Sequence, residues 1–203
     1  ALDGQQRITE LGKKMLRLGT HPRLAAMLLA THDEIEKALA CDLAALIEAR
    51  DPLMGYRGND WQARWQALAD YRTRKTLSGA NVSALKQLDA TAMQWRQRVQ
   101  CKIAPPVDAS SHQLGDVLLH AFPERVAKQH DSYPLRYQLA SGKMARIHAD
   151  SPLYGEVWLC ASELKFESKE ALILRAAPID QHRLQSDFPE RFTEQDVVRW
   201  DDK

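Results

Sequence analysis

The chain has 203 residues, of which 44% are hydrophobic, with 28 Lys+Arg against 27 Asp+Glu and a formal net charge of +1. That composition excludes a disordered or collagen-like chain and allows a packed core, and the length fits one or two domains of the usual ~100–150 residues. Three scattered cysteines (Cys41, Cys101, Cys160) with no C-x-x-C pair exclude a disulfide framework or zinc ribbon, and no apolar run reaches the ~18 residues of a membrane span.

Residues 1–10 are polar; Gln6–Ile8 reads as the end of a strand, and Thr9 as the cap of a first helix. From Leu11 to Arg50, apolar residues recur every three or four positions, so three consecutive helices are predicted, each with one apolar face. Leu11, Met15 and Leu18 mark the first; Leu24, Met27 and Leu28 the second; Ile35, Leu39, Leu43, Leu46 and Ile47 the third. Gly19 suits a helix end and Pro22 a helix first turn, and Asp33 with Glu36 resembles a capping box.

A Gly- and Pro-containing loop follows over 51–59, and Asp60 is suited to cap a fourth helix with Trp61, Trp65, Leu68 and Arg72 on one face. That helix ends in the basic cluster Arg72, Arg74 and Lys75. A fifth helix is predicted from about Ser83 to Gln100, with Leu85, Leu88, Ala92, Trp95 and Val99 inward and Lys86, Arg96 and Arg98 on the opposite side. Pro105-Pro106 is the boundary candidate, dividing the chain into residues 1–104 and 105–203. The first part holds 16 Lys+Arg and 11 Asp+Glu, the second 12 and 16, so a basic unit precedes an acidic one.

Beyond the prolines, Ser110 and Ser111 offer a cap to a short helix carrying Leu114, Val117, Leu118 and Ala121. From Tyr133 the period becomes two. Strands are predicted around Leu135–Leu139, Met144–His148, Val157–Ala161 and Ala171–Ala176, with turns at Ser141-Gly142 and Phe166–Lys169. The run at 157–161 suits a strand buried on both faces, and Thr193–Trp200 is a candidate for one more strand. The fold class expected is α+β, a helical bundle followed by a small antiparallel barrel or sandwich.

Self-contained catalytic chemistry is missing. The chain has no phosphate-binding P-loop, no G-x-G-x-x-G, no G-x-S-x-G elbow and no H-E-x-x-H. His148 with Asp150, and His130 with Asp131, read as ordinary loop and helix-end residues, and Glu163 as a solvent-facing strand residue. No catalytic, cofactor or metal residue is assigned. Trp61, Trp65, Trp95, Trp158 and Trp200 lie at apolar positions, which favours core packing over base stacking. Arg72, Arg74, Lys75, Arg96, Arg98 and Lys102 form either a solvated face or contacts to phosphates.

Two sets of residues carry a family resemblance. Ile8-Thr9, Leu11-Gly12 and Met15, followed by Pro22-Arg23-Leu24-Ala25-Ala26-Met27-Leu28, resemble the junction in DEAH/RHA-type helicases where a winged helix closes and the helical ratchet domain opens. Ala121-Phe122-Pro123-Glu124-Arg125-Val126-Ala127, Tyr137–Leu153 and Trp158–Leu164 resemble the OB-like domain that follows it, in forms characteristic of the bacterial HrpB branch. In that branch Val198–Asp201 would introduce a further domain. Gly19-Thr20 departs from the pattern, where relatives commonly carry Pro with an apolar residue.

The resemblance implies a piece of a longer, cytoplasmic ATP-dependent RNA helicase. Its ATP and Mg sites would lie in two RecA-like domains outside this chain, leaving no cofactor here. The piece would help hold single-stranded RNA, or DNA, against that motor, with the RecA-like and winged-helix domains of the same polypeptide as neighbours and no membrane partner. Arg23 matches a basic position of the family segment, and Lys143 and Arg146 flank the strand-turn region of the OB-like part. With Arg72, Arg74, Lys75 and Arg96 they complete the candidate nucleic-acid contacts. The competing expectation is a scaffold that docks partner proteins through the OB-like domain.

Overall fold

The computed structural model describes residues 1–192; the candidate strand Thr193–Trp200 lies outside the described residues. Three helices open the chain, α1 (Glu10–Leu18), α2 (Pro22–Leu29) and α3 (Glu34–Glu48). Their ends are set by the residues that signalled them. The Thr9 hydroxyl accepts from the Gly12 amide at 3.1 Å, and Gly19 closes α1 in the left-handed region at φ 64°, where a side chain would be strained. Asp33 accepts from the Glu36 amide at 2.8 Å, while the Glu36 carboxylate reaches one residue past the cap and accepts from the His32 amide at 2.8 Å. The early strand reduces to an isolated bridge between Leu2 and Ile8.

Two longer helices follow, α4 (Gln62–Arg72) and α5 (Val82–Arg98). Asp60 Oδ1 takes the Ala63 amide at 2.7 Å, so it does cap the fourth helix. Trp61, Trp65 and Leu68 are buried, as are Leu85, Leu88, Ala92 and Trp95 on α5. Arg96 corrects the expected solvent face: it is buried beside Trp95 because it turns toward a carboxylate on α3.

α6 (Ser111–Leu119) begins in a complete capping box between Ser110 and Gln113 and leads through a 3-10 turn into five strands. These are β1 (Val126–His130), β2 (Tyr133–Leu139), β3 (Met144–Arg146), β4 (Trp158–Phe166) and β5 (Ala171–Pro178), closed into a barrel in the order β1-β2-β3-β5-β4. All pairs are antiparallel except β3 with β5. That order is OB-like and leaves no open sheet edge. β1 was absent from the expected strands: Val-Ala-Lys-Gln-His is short, and its alternation breaks at a register shift between Gln129 and His130. A seventh helix, α7 (Gln181–Asp187), also went unpredicted; it is capped by Asp180 and buries only Leu184.

The barrel interior is filled by Ala127, Tyr137, Leu139, Ala145, Ile147, Leu159, Ala161 and Ile173, among others. Cys160, between Leu159 and Ala161, points the other way into the helical core, so β4 is buried on both faces as its apolar run implied. The prolines mark a change of architecture without a break in packing. Leu114, Val117 and Leu118 of α6 share one core with α2–α5, together with Val126, Cys160, Ala177 and Ile179 of the barrel's outer wall. Backbone bonds stitch the same seam: Trp61 N–H donates to the Ala176 carbonyl at 3.1 Å, and Ala176 N–H to the Asn59 carbonyl at 2.9 Å.

Candidate nucleic-acid interface

The seven basic candidates do not form one patch. Arg72 and Arg96, on adjacent helices, converge on Asp42 of α3, which is 0% exposed. Arg72 donates to both Asp42 oxygens at 2.7 and 2.8 Å, and Arg96 to Oδ1 at 2.8 Å, while Arg72 also reaches Asp89 at 2.7 Å. The two side chains are 9% and 8% exposed. Burial and pairing remove them from the surface, so they act as structural ions of the helical core and not as phosphate contacts. The spacing Trp61, Trp65, Leu68, Arg72 already carried this signal, since it puts Arg72 on the apolar face.

Arg23 joins the two halves. Its guanidinium donates to the Ala121 carbonyl at 3.0 Å, pairs with Glu124 at 2.6 Å and lies 5.4 Å from the centre of the Phe122 ring. Both sequence segments that carried the family resemblance therefore meet at this one side chain. Arg74 and Lys75 are exposed in the turn after α4; Arg74 sits at φ 56°, and Lys75 pairs with Asp70 at 3.2 Å.

Lys143 and Arg146 belong to a different surface, the outward face of β1–β2–β3. On β2, Leu135, Tyr137 and Leu139 face inward while Arg136 and Gln138 face out. Register then sets Arg136 opposite Arg146, Gln138 opposite Met144, and Lys128 opposite Gln138. Like charges directly opposite repel. Glu170, at the end of the β4–β5 turn, bridges them, 3.3 Å from Arg136 and 3.4 Å from Arg146, and Glu167 adds a contact to Arg146 at 3.2 Å.

Aromatic rings border this face. Lys143 lies 5.1 Å from the Phe166 ring centre, Arg136 5.4 Å from Tyr133 and Lys128 5.7 Å from Trp158. Phe166 and Tyr133 are exposed, at 63% and 55%. Lys128 and Lys143 have no carboxylate partner among the described residues. Sequence reasoning missed Lys128 because it missed β1; Arg136 lay on a predicted strand, and its alternation with Gln138 was the available signal.

Arg64 was also unforeseen. Buried on α4, it donates from Nε and NH2 to Asp51 Oδ2 at 2.9 and 2.6 Å and from NH1 to the Gly58 and Asp60 carbonyls. Arg175 of β5 reaches the same Asp51 oxygen at 2.8 Å, locking the loop to the barrel. Two of the three thiols are unsuited to chemistry here: burial pushes Cys41 up to about 12 and also raises Cys160.

The known proteins that this chain is similar to share both its sequence and its fold. No family model matches it. Over its whole length it is 31% identical to the ATP-dependent RNA helicase HrpB of Escherichia coli (strain K12), and it spans 22% of that relative. A crystal structure of the E. coli DExH-box NTPase HrpB superposes on all of the chain with a TM-score of 0.73 at 30% identity, 22% of that structure being covered. A second, of the Escherichia coli DEAH/RHA helicase HrpB, covers 89% of this chain and 20% of its own at a TM-score of 0.65, again at 30% identity. The helical platform and OB-like barrel thus match, in sequence and in fold, a segment of a DEAH/RHA-type helicase. The particular protein that the chain resembles over its whole length is HrpB.

Proposed function

We propose that this segment is a non-catalytic part of an ATP-dependent RNA helicase, where it helps form the channel that holds and guides single-stranded nucleic acid. The observation that carries the reading is the outward face of β1–β2–β3. OB-like barrels commonly bind nucleic acid on strands 2 and 3 and the adjoining loops, and here that face presents Lys128, Arg136, Lys143 and Arg146 beside Tyr133 and Phe166. Cations would neutralise phosphates while exposed rings stack on bases, a pairing that tolerates any sequence. Arg74 and Lys75 offer a second, smaller contact at the end of α4.

The helices α1–α5 correspond in this reading to the ratchet, a passive wall past which RecA-like domains of the same cytoplasmic polypeptide draw the strand, with a winged-helix domain as a further neighbour. ATP and Mg would be held by those RecA-like domains. Nothing in the sequence of this chain supplies a P-loop for them.

Fluorescence anisotropy with a labelled single-stranded RNA tests the reading. Two to four phosphate contacts on a single strand imply a slope of about −1.4 to −2.8 in log affinity against log salt. Replacing Lys128 and Arg136 together by Ala should weaken binding at low salt and flatten that slope by roughly one unit or more. A chain that instead docks proteins through the barrel would show no salt-dependent affinity for RNA. A DNA strand of the same sequence, run in parallel, reports whether the sugar is read.

A further inference from the structure

Apart from the basic face, three side chains far apart in sequence converge where the helical half meets the helices flanking the barrel. His32 lies in the α2–α3 connection, His120 caps the C-terminus of α6, and Asp187 ends α7. One ligand atom from each lies within 4.8 Å of the others. His32 Nε2 is 3.4 Å from Asp187 Oδ1, and His120 Nε2 is 3.3 Å from Asp187 Oδ2.

Each imidazole nitrogen thus stands about one tetrahedral edge from a carboxylate oxygen, His32 from Oδ1 and His120 from Oδ2. Ligand atoms bound to zinc at ~2.0–2.1 Å stand about 3.3–3.4 Å from one another. A simple hydrogen-bonded triad explains the site less well. The buried His120 Nε2 has no hydrogen-bond partner among the described residues: it is close to the carboxylate but not aligned with it. A buried ring nitrogen left in that state calls for a ligand.

The surroundings are built to hold the three groups. Arg183 donates from Nε to Asp187 Oδ2 at 2.7 Å, fixing the carboxylate, which is 4% exposed. Glu36 pairs with Arg183 at 2.7 Å, and its other oxygen accepts from the His32 amide at 2.8 Å. One carboxylate therefore orients both ends of the site, as outer-shell groups do around metals. The Phe188 ring packs 5.7 Å from that of His120 and covers one side. His32 is exposed, which gives an ion a way in.

We propose that His32, His120 and Asp187 bind a divalent transition-metal ion of the zinc type, clasping the α2–α3 connection to α6 and α7. Two imidazoles and one carboxylate suit Zn²⁺, and by the same donor chemistry Co²⁺ or Ni²⁺; they do not suit Mg²⁺ or Ca²⁺, which select all-oxygen sets. The positive charge of Arg183 lowers the affinity below that of a closed structural site. The role that fits this position is to staple three surface elements, with the fourth coordination position left to water.

Titration calorimetry of the 203-residue chain with ZnCl₂ at pH 7.5 should give one ion per chain, and Co²⁺ substitution should give visible absorption of a four-coordinate centre. Zn²⁺ should also raise the melting temperature. His32→Gln, at an exposed position where the fold does not depend on the ring, should weaken Zn²⁺ binding by at least the ~10–100-fold that loss of a mere outer-shell partner costs. Asp187→Asn should do the same, whereas His182→Gln, an exposed histidine on the same helix, should leave binding unchanged. Failure of the unaltered chain to bind Zn²⁺, or binding that H32Q and D187N both leave intact, overturns the site.

Discussion

Asp42 accepts four hydrogen bonds, two on each oxygen: from Trp65 Nε1 and Arg72 on Oδ2, and from Arg72 and Arg96 on Oδ1. That saturates the capacity of a carboxylate, which is why a fully buried charge is tolerated in the middle of three helices. Asp42→Ala would strand two buried guanidiniums and should cost about 3–5 kcal/mol in denaturant unfolding. Arg72→Ala and Arg96→Ala should likewise lower stability while leaving RNA affinity at a given folded concentration unchanged, which separates them from Lys128 and Arg136. Asp116 behaves differently. Burial raises it from 3.8 to about 6, the amide of Asp180 partly offsetting this. Its folded value exceeds the unfolded one, so its contribution is fully present below about 4 and is lost as pH rises through about 6. Asp116→Asn keeps an acceptor for Asp180 without the charge. It should melt higher than the unaltered chain at pH 8 and equally at pH 4, as followed by circular dichroism.

Among the elements, α6 makes the largest difference between one folded unit and two. Gly115 on this helix lies so close to β5 that an added Cβ would run into the carbonyl oxygen of Pro178. Glycine is needed there for approach and not for backbone conformation. Gly115→Ala should destabilise the chain by about 1–3 kcal/mol through overpacking, measured by urea titration. The first six helices were legible because their signals are local. Thr9, Gly19, Pro22, Asp33 and Ser110 each act within one turn, and the buried residues Leu39, Leu43, Trp65, Leu85 and Leu88 follow the period of the helix. β1 was not legible, since five residues with one bulge give no usable period, and without it Lys128 could not be placed opposite Gln138.

At the scale of the whole molecule, the acidic second half and the basic first half do not map onto a passive and a binding unit. Two of the first half's arginines are consumed by Asp42, and Arg23 is consumed at the seam with Ala121 and Glu124. An exposed cationic face lies on the barrel, within the more acidic half. Purified chain should not hydrolyse ATP above background, with or without RNA, as measured by phosphate release; turnover that co-purifies with the chain through successive columns would contradict the proposed division of labour. The amino-acid sequence by itself determined the first six helices, their apolar stripes, the strand buried on both faces and the helicase resemblance, because each rests on neighbours a few positions apart. Only the tertiary structure decided which charges remain available and which histidines meet. Asp42 lies 54 residues from Arg96, and Asp187 lies 155 from His32; nothing along the chain ties such pairs together until the core is packed.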